Sequence, residues 1–232
     1  KNITTHKLLL YAEGTNKLEF TAGFQLQYGM GFYYTLKDQV FAAGKSVKLI
    51  DSLNTAEYID AAGSQQVVRY TSNHDVDNTD GTPLDLFGGR HGSMAVFLVA
   101  AYMNSVPMIY DGQEVGCPVK LTYFNNSTPI DWTTNPDMVA EYKTILGFRN
   151  SSAAIRRGIL ASYSSDDVCA FTKTLNTDKV WVMANLRNKV VTYTVPAALV
   201  SSNWKNVVDG SSFTAGSTVA LQPYEYRVYK NN

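Results

Sequence analysis

The chain has 232 residues, 45% of them hydrophobic and 17% charged, enough apolar material for one large domain or two of ordinary size. Lys plus Arg and Asp plus Glu each number 20, so no basic field favours nucleic acid and no charge block marks a tail; an uncharged partner suits this balance. Cys117 and Cys169 lack the spacing of a zinc site or a disulfide framework, no apolar run approaches the roughly 18 residues of a membrane span, and Lys1–Thr5 lacks the apolar centre of a signal peptide.

In chain order, Leu8–Ala12 reads as a buried strand running into Glu13-Gly14. Only about ten residues, Gly14 to Gly23, then separate it from the alternating Phe24–Tyr28, near the minimum for a crossover between parallel strands. Phe32, Leu36 and Val40 stand four apart and predict a helix ending at Gly44. Ser46 is placed to cap a further helix bearing Val47, Ile50 and Leu53, and Asn54 with Glu57 has the spacing of a capping pair before Tyr58. The run Val67–Ser72 predicts a strand that delivers Asn73, His74 and Asp75 at its carboxyl end, followed by a long loop from Asn78 to Gly92 that would rim a site. Ser93 opens a helix with Met94, Phe97, Leu98, Ala101 and Tyr102 on one face; a strand at Val106–Tyr110 leads into Asp111-Gly112-Gln113-Glu114. Asn135-Pro136-Asp137 is a helix start, with Met138, Tyr142, Ile145 and Leu146 as its buried stripe. From about Gly158 the period turns from helical to alternating, and strands are predicted at 167–175, 179–186, 189–195 and 218–230. Strand-helix alternation followed by strands alone indicates an α/β part and then an all-β, antiparallel sandwich.

Three apolar strands that each end in acids suggest a site at strand carboxyl ends. Glu13 and Asp75 form a candidate carboxylate pair for glycoside hydrolysis, which needs one protonated acid for the leaving oxygen and one carboxylate against the developing positive charge. The 15 tyrosines suit sugar rings as well as they suit packing.

Four stretches of the α/β part, and a fifth in the second domain, make this specific. Ser72-Asn73-His74-Asp75 resembles the Asn-His-Asp motif of the alpha-amylase superfamily of glycoside hydrolases, and Ser105–Glu114 is similar to its Gly-x-Pro-x-x-Tyr-x-Gly-x-Glu segment, with Ser105 where Gly is usual. Leu10–Gly14 resembles the strand end bearing the general acid, and Gly23–Tyr28 the Gly-Phe-Asp-x-x-Tyr piece, with Gln25 in place of Asp; Leu221–Tyr229 resembles the end of the family's sandwich. The resemblance implies the second half of a (β/α)8 TIM barrel over residues 1–155, followed by an antiparallel β-sandwich over 156–232. It implies a retaining hydrolase of starch or maltooligosaccharides, with Glu13 as general acid and base, Asp75 as the transition-state carboxylate, His74 as a hydroxyl donor, and Asn73 and Tyr28 as further substrate-binding groups. The family's nucleophile lies on the fourth barrel strand, which has no counterpart here. The chain is therefore expected to be inactive alone and to need the amino-terminal half of the barrel as partner. No cofactor is evident and no metal is assigned, because the family's calcium sites lie mostly in the amino-terminal part; the family points to a secreted or periplasmic enzyme.

Two rivals remain at this stage. A His-Asp pair also occurs in metal-dependent phosphohydrolases, for which only His6 and His91 are left as further histidine ligands. Alternatively the chain is a non-catalytic remnant holding glycan on Trp181 or Trp204 of the sandwich.

Overall fold

The computed structural model describes residues 8–16, 18–124 and 129–231. Four short strands, β1 (Tyr11–Ala12), β2 (Leu26–Tyr28), β3 (Gln66–Arg69) and β4 (Ser105–Pro107), lie side by side in chain order, and every adjacent pair is parallel. Parallel neighbours require crossovers. These are α1 (Leu18–Thr21), then α2 (Met30–Tyr34) with a π-helical continuation over Thr35–Ala42 and α3 (Lys48–Glu57), then α4 (His74–Thr79), α5 (Pro83–Leu86) and α6 (Gly89–Tyr102). All four carboxyl ends consequently emerge on one side of the sheet. Among the described residues, neither the outer edge of β1 nor that of β4 has a strand partner.

Local sequence explains most of these elements. Phe32, Leu36 and Val40 are fully buried, as their spacing requires, and Gly44 takes the positive φ of 62° that stops the segment. Gly29 turns the chain from β2 into α2 against β3: its N–H donates to Val68 O at 2.7 Å, and a Cβ there would lie 2.6 Å from that same oxygen. The 14-residue α6 is buried on nearly all sides from Gly92 onward, consistent with its apolar run.

Several expectations need correction. The paired part of the first strand is Tyr11–Ala12 alone. Strand β3 stops at Arg69, and His74-Asp75 open a helix rather than end a strand. The expected loop from Asn78 to Gly92 is largely helical, because Thr82 and Asp85 form a reciprocal capping box with Pro83 at the first helical position. Asn54 and Glu57 do not cap a helix: both belong to α3 and accept from the Arg69 guanidinium, at 2.9 and 2.6 Å. That guanidinium is wholly buried over the Phe32 ring, and a desolvated cation demands such acceptors. Asn135 stands at the start of α7 (Pro136–Ser151) but makes no side-chain cap; in left-handed conformation (φ 44°) it donates instead to Val115 O at 2.8 Å.

The helices end with α8 (Ala153–Arg157), after which eight strands follow: β5 (Ile159–Ser162), β6 (Val168–Leu175), β7 (Asp178–Asn185), β8 (Val191–Thr194), β9 (Asn203–Asn206), β10 (Ser212–Thr214), β11 (Thr218–Leu221) and β12 (Tyr226–Lys230). Six form an antiparallel sheet in the order β10-β9-β12-β7-β6-β5, and β8 pairs with β11 in a second, two-stranded sheet. The stretch 218–230, expected to be one strand, is two, broken where Tyr224 adopts φ 57°. β5, β9 and β10 were not anticipated; they are short and largely exposed.

Alternate residues of β6 and β7 face two cores. Cys169, Phe171, Val182 and Ala184 pack with α6, α7 and α8, whereas Val168, Ala170, Trp181 and Met183 pack with Tyr193, Leu199, Trp204 and Leu221. Two covered faces turn the expected alternation into a continuous apolar run. Trp181 and Trp204 belong to the second core with ring centroids 5.5 Å apart, and both are buried, so neither offers a face to glycan.

Candidate active site

The carboxyl ends of β2 and β3 are joined by one asparagine. Asn73, in extended conformation, accepts at Oδ1 from the N–H groups of Asp75 (2.9 Å) and Val76 (2.8 Å), which caps α4. Its amide donates to the Tyr28 hydroxyl at 2.7 Å. Asn73 and Tyr28, both expected to bind substrate, are buried. Tyr28 continues an aromatic column, 5.8 Å from Tyr11 and 4.8 Å from Tyr70, which in turn stacks on Tyr33. Burial raises the Tyr28 and Tyr70 phenols above their ordinary range and keeps them neutral. At the far end of α4, Asp80 accepts from Tyr33 Oη (2.9 Å) and Lys37 Nζ (2.8 Å), so the short helix is held at both ends.

This frame brings Glu13, His74 and Asp75 together. His74 Nε2 lies 3.5 Å from Asp75 Oδ1 and 3.9 Å from Glu13 Oε1, and a donor atom from each of the three fits within 4.8 Å of the others. Their side chains are 62% (Glu13), 52% (His74) and 56% (Asp75) exposed, on an open surface. A separate cavity of about 200 Å³, lined by Phe20, Gln27, Tyr28, Leu53 and Val67, lies toward α1 and α3 and includes none of them. Two carboxylates and an imidazole within reach of one another can share a polar ligand, give or take a proton, and stabilise positive charge.

Among the described residues these three form the one group of His, Cys, Asp or Glu close enough to share an ion, so a metal there would occupy the same oxygens. His91 lines a different hollow, beside Glu141 and Gln222–Tyr226, and His6 lies outside the described residues. A histidine-rich metal centre around His74-Asp75 gains nothing from His91.

Two contributors escaped the sequence reading. Tyr123, in the segment after β4, donates its hydroxyl to Asp75 Oδ1 and sets its ring edgewise on His74, with centroids 6.2 Å apart. Donation to a carboxylate pushes the Tyr123 phenol up to about 12. Asp77 is buried in α4 and accepts from Leu121 N at 2.6 Å, which ties that same segment down; desolvation pushes its carboxyl above the usual range. Nothing in the local pattern around residue 123 signals this return to α4. Gln113, within the segment resembling the last barrel strand, is buried and donates to Thr71 Oγ1 (2.8 Å) and Tyr142 Oη (3.0 Å), joining the ends of β3 and β4 to α7. Gln25, where the family has Asp, accepts from Leu10 N at 2.7 Å and fastens β2 to the approach of β1.

No family model matches the chain, and no curated protein matches it in sequence. Solved structures do match in fold. AmyP crystallised with maltose superposes with a TM-score of 0.75 at 14% identity, over 96% of this chain and 55% of its own. A noncanonic maltogenic alpha-amylase, AmyB from Thermotoga neapolitana, gives 0.77 at 14% identity over 97% and 54%. A cyclic alpha-maltosyl-(1→6)-maltose hydrolase from Arthrobacter globiformis gives 0.74 at 17% identity over 97% and 50%. At such identities the likeness is one of fold, and the chain spans about half the length of the structures it matches.

Proposed function

We propose that the chain is the carboxyl-terminal half of the (β/α)8 catalytic barrel, with its β-sandwich, of a retaining hydrolase acting on starch or maltooligosaccharides. The observation that carries this reading is the convergence on His74 of Glu13, which directly follows β1, and Asp75, in the first turn of the helix that follows β3. Barrel enzymes build their sites from strand carboxyl ends in this manner. Glu13 protonates the departing glycosidic oxygen and, once ionised, takes a proton from the incoming water. Asp75 holds sugar hydroxyls and opposes the positive charge that develops on the ring, while His74 donates to a neighbouring hydroxyl. Asn73 and Tyr28 fix where these groups stand.

The covalent step needs a second carboxylate about 5 Å from the acid. In this reading residues outside this chain supply that nucleophile, pair with the free edges of β1 and β4, and hold any calcium ion. The exposed Leu8, Leu9, Leu10 and Tyr11 beside β1 support such a partner, since an open apolar edge favours pairing. The two buried sandwich tryptophans argue against a glycan-binding remnant.

Titration of maltoheptaose into the chain, followed by NMR, tests the reading. Resonances of Glu13, His74 and Asp75 are expected to shift together, and His74→Ala to weaken binding. Shifts confined to residues beyond 158 would replace the cleft with a sandwich site.

A further inference from the structure

The segment after β4 returns across the face of α4. Lys120 Nζ donates to Thr79 O at 3.2 Å and Leu121 N to the buried Asp77 carboxylate at 2.6 Å, so the backbone of this segment is fastened to the helix that bears His74 and Asp75. Beyond that anchor Tyr123 reaches Asp75 Oδ1 with its hydroxyl and touches the edge of His74 with its ring, yet remains 45% exposed. Phe124 lies 5.8 Å from Tyr123, tilted by 42°, and is 97% exposed. Among the described residues the ring that Phe124 meets is that of Tyr123, the residue that reaches Asp75 and His74. An exposed aromatic pair next to convergent polar groups is how a site takes an uncharged, amphipathic ring, whose C–H face packs on the aromatic while its hydroxyls meet the acids.

We propose that Tyr123 and Phe124 form a platform for one glucose unit of an α-glucan beside Asp75, and that Tyr123 in addition positions the Asp75 carboxylate. The inference rests on the α-glucan reading of the site and adds the residues that set affinity for the adjacent sugar. Tyr123 holds Oδ1 of Asp75, and the sugar hydroxyl meets the same carboxylate. The charge-assisted bond fixes the carboxylate rotamer in a site otherwise open to water.

The experiment measures maltoheptaose affinity by NMR titration of the chain, with saturation transfer from aromatic protons to the sugar. For the parent, saturation is expected to concentrate on the C–H face of one glucose unit while Asp75 and His74 resonances shift. Tyr123→Ala should lower affinity about tenfold, Tyr123→Trp should restore most of it, and Tyr123→Phe should retain the aromatic saturation with a smaller loss; Phe124→Ala should lose about threefold. Binding by the parent at Asp75 and His74, with Tyr123→Ala and Phe124→Ala unchanged in affinity, would overturn the platform and leave the site reading standing. Absence of maltoheptaose binding at Asp75 and His74 in the parent would overturn both.

Discussion

Replacing Asn73 tests whether the site is a built frame or a chance meeting of loops. Asn73→Ala removes the acceptor for two N–H groups at the start of α4 and the donor to the Tyr28 hydroxyl. Loss of an N-cap costs about 1 kcal/mol, and loss of a buried neutral hydrogen bond costs about another 1 kcal/mol. Together these predict a destabilisation of about 2 kcal/mol, which for a chain of this size lowers Tm by about 4–8 °C. Urea unfolding at neutral pH, followed by circular dichroism, gives the number. Asn73→Ser keeps a capping oxygen and is expected to recover about half of the loss. Tyr28→Phe should cost about 1 kcal/mol, and the Asn73/Tyr28 double-mutant cycle should show a coupling of about that size. Asn73→Ala within 0.5 kcal/mol of the parent, or strict additivity of the two changes, would refute the claim that this asparagine joins the ends of β2 and β3.

Lys173 gives a pH dependence with a definite sign. It is buried on β6, its ammonium meets Asn104 Oδ1, and burial together with the Arg69 and Arg149 guanidiniums lowers its pKa to about 8. The folded state therefore binds fewer protons than the unfolded chain between about pH 8 and 10.4, and stability from this group rises with pH across that window. Below pH 8 the full cost applies, about 3 kcal/mol from the shift. Lys173→Met should gain about 1–2 kcal/mol at pH 7, net of the lost Asn104 bond, and the difference from the parent should shrink toward pH 10; a difference constant with pH would contradict the assignment. In the completed barrel, Asp75→Asn is expected to lower kcat more than it raises KM, by the equivalent of about 3 kcal/mol. A loss confined to KM would show that Asp75 binds the ground state only.

What the sequence could reveal depended on how local the signal was. The apolar spacing of Phe32, Leu36 and Val40, the Asn135-Pro136 helix start and the strands at Val168 and Val180 rest on patterns within a dozen residues, and these were legible. The triplet Asn73-His74-Asp75 stood out as three consecutive polar residues after an apolar run, but that it opens a helix was not legible. The partners of Asn54 and Glu57 were not, because the buried Arg69 that claims them lies on another element and a charge deep in a fold is settled by tertiary neighbours. Tyr123 was equally invisible: its bond to Asp75 spans 48 positions. The edge strands β9 and β10 lack a buried face strong enough to impose a period of two.

The central claim is that this chain provides the acid and the transition-state carboxylate of a glucan hydrolase whose nucleophile lies on other residues. Its most direct test mixes the purified chain with a separately made polypeptide supplying the remaining barrel strands, and follows maltoheptaose cleavage by chromatography. No cleavage is expected by the chain alone; cleavage is expected on mixing, and Glu13→Gln in the chain should abolish it while largely preserving binding, since Gln keeps the shape and cannot give a proton. Cleavage by the lone chain, or a mixture in which Glu13→Gln cleaves at the parent's rate, would contradict the account.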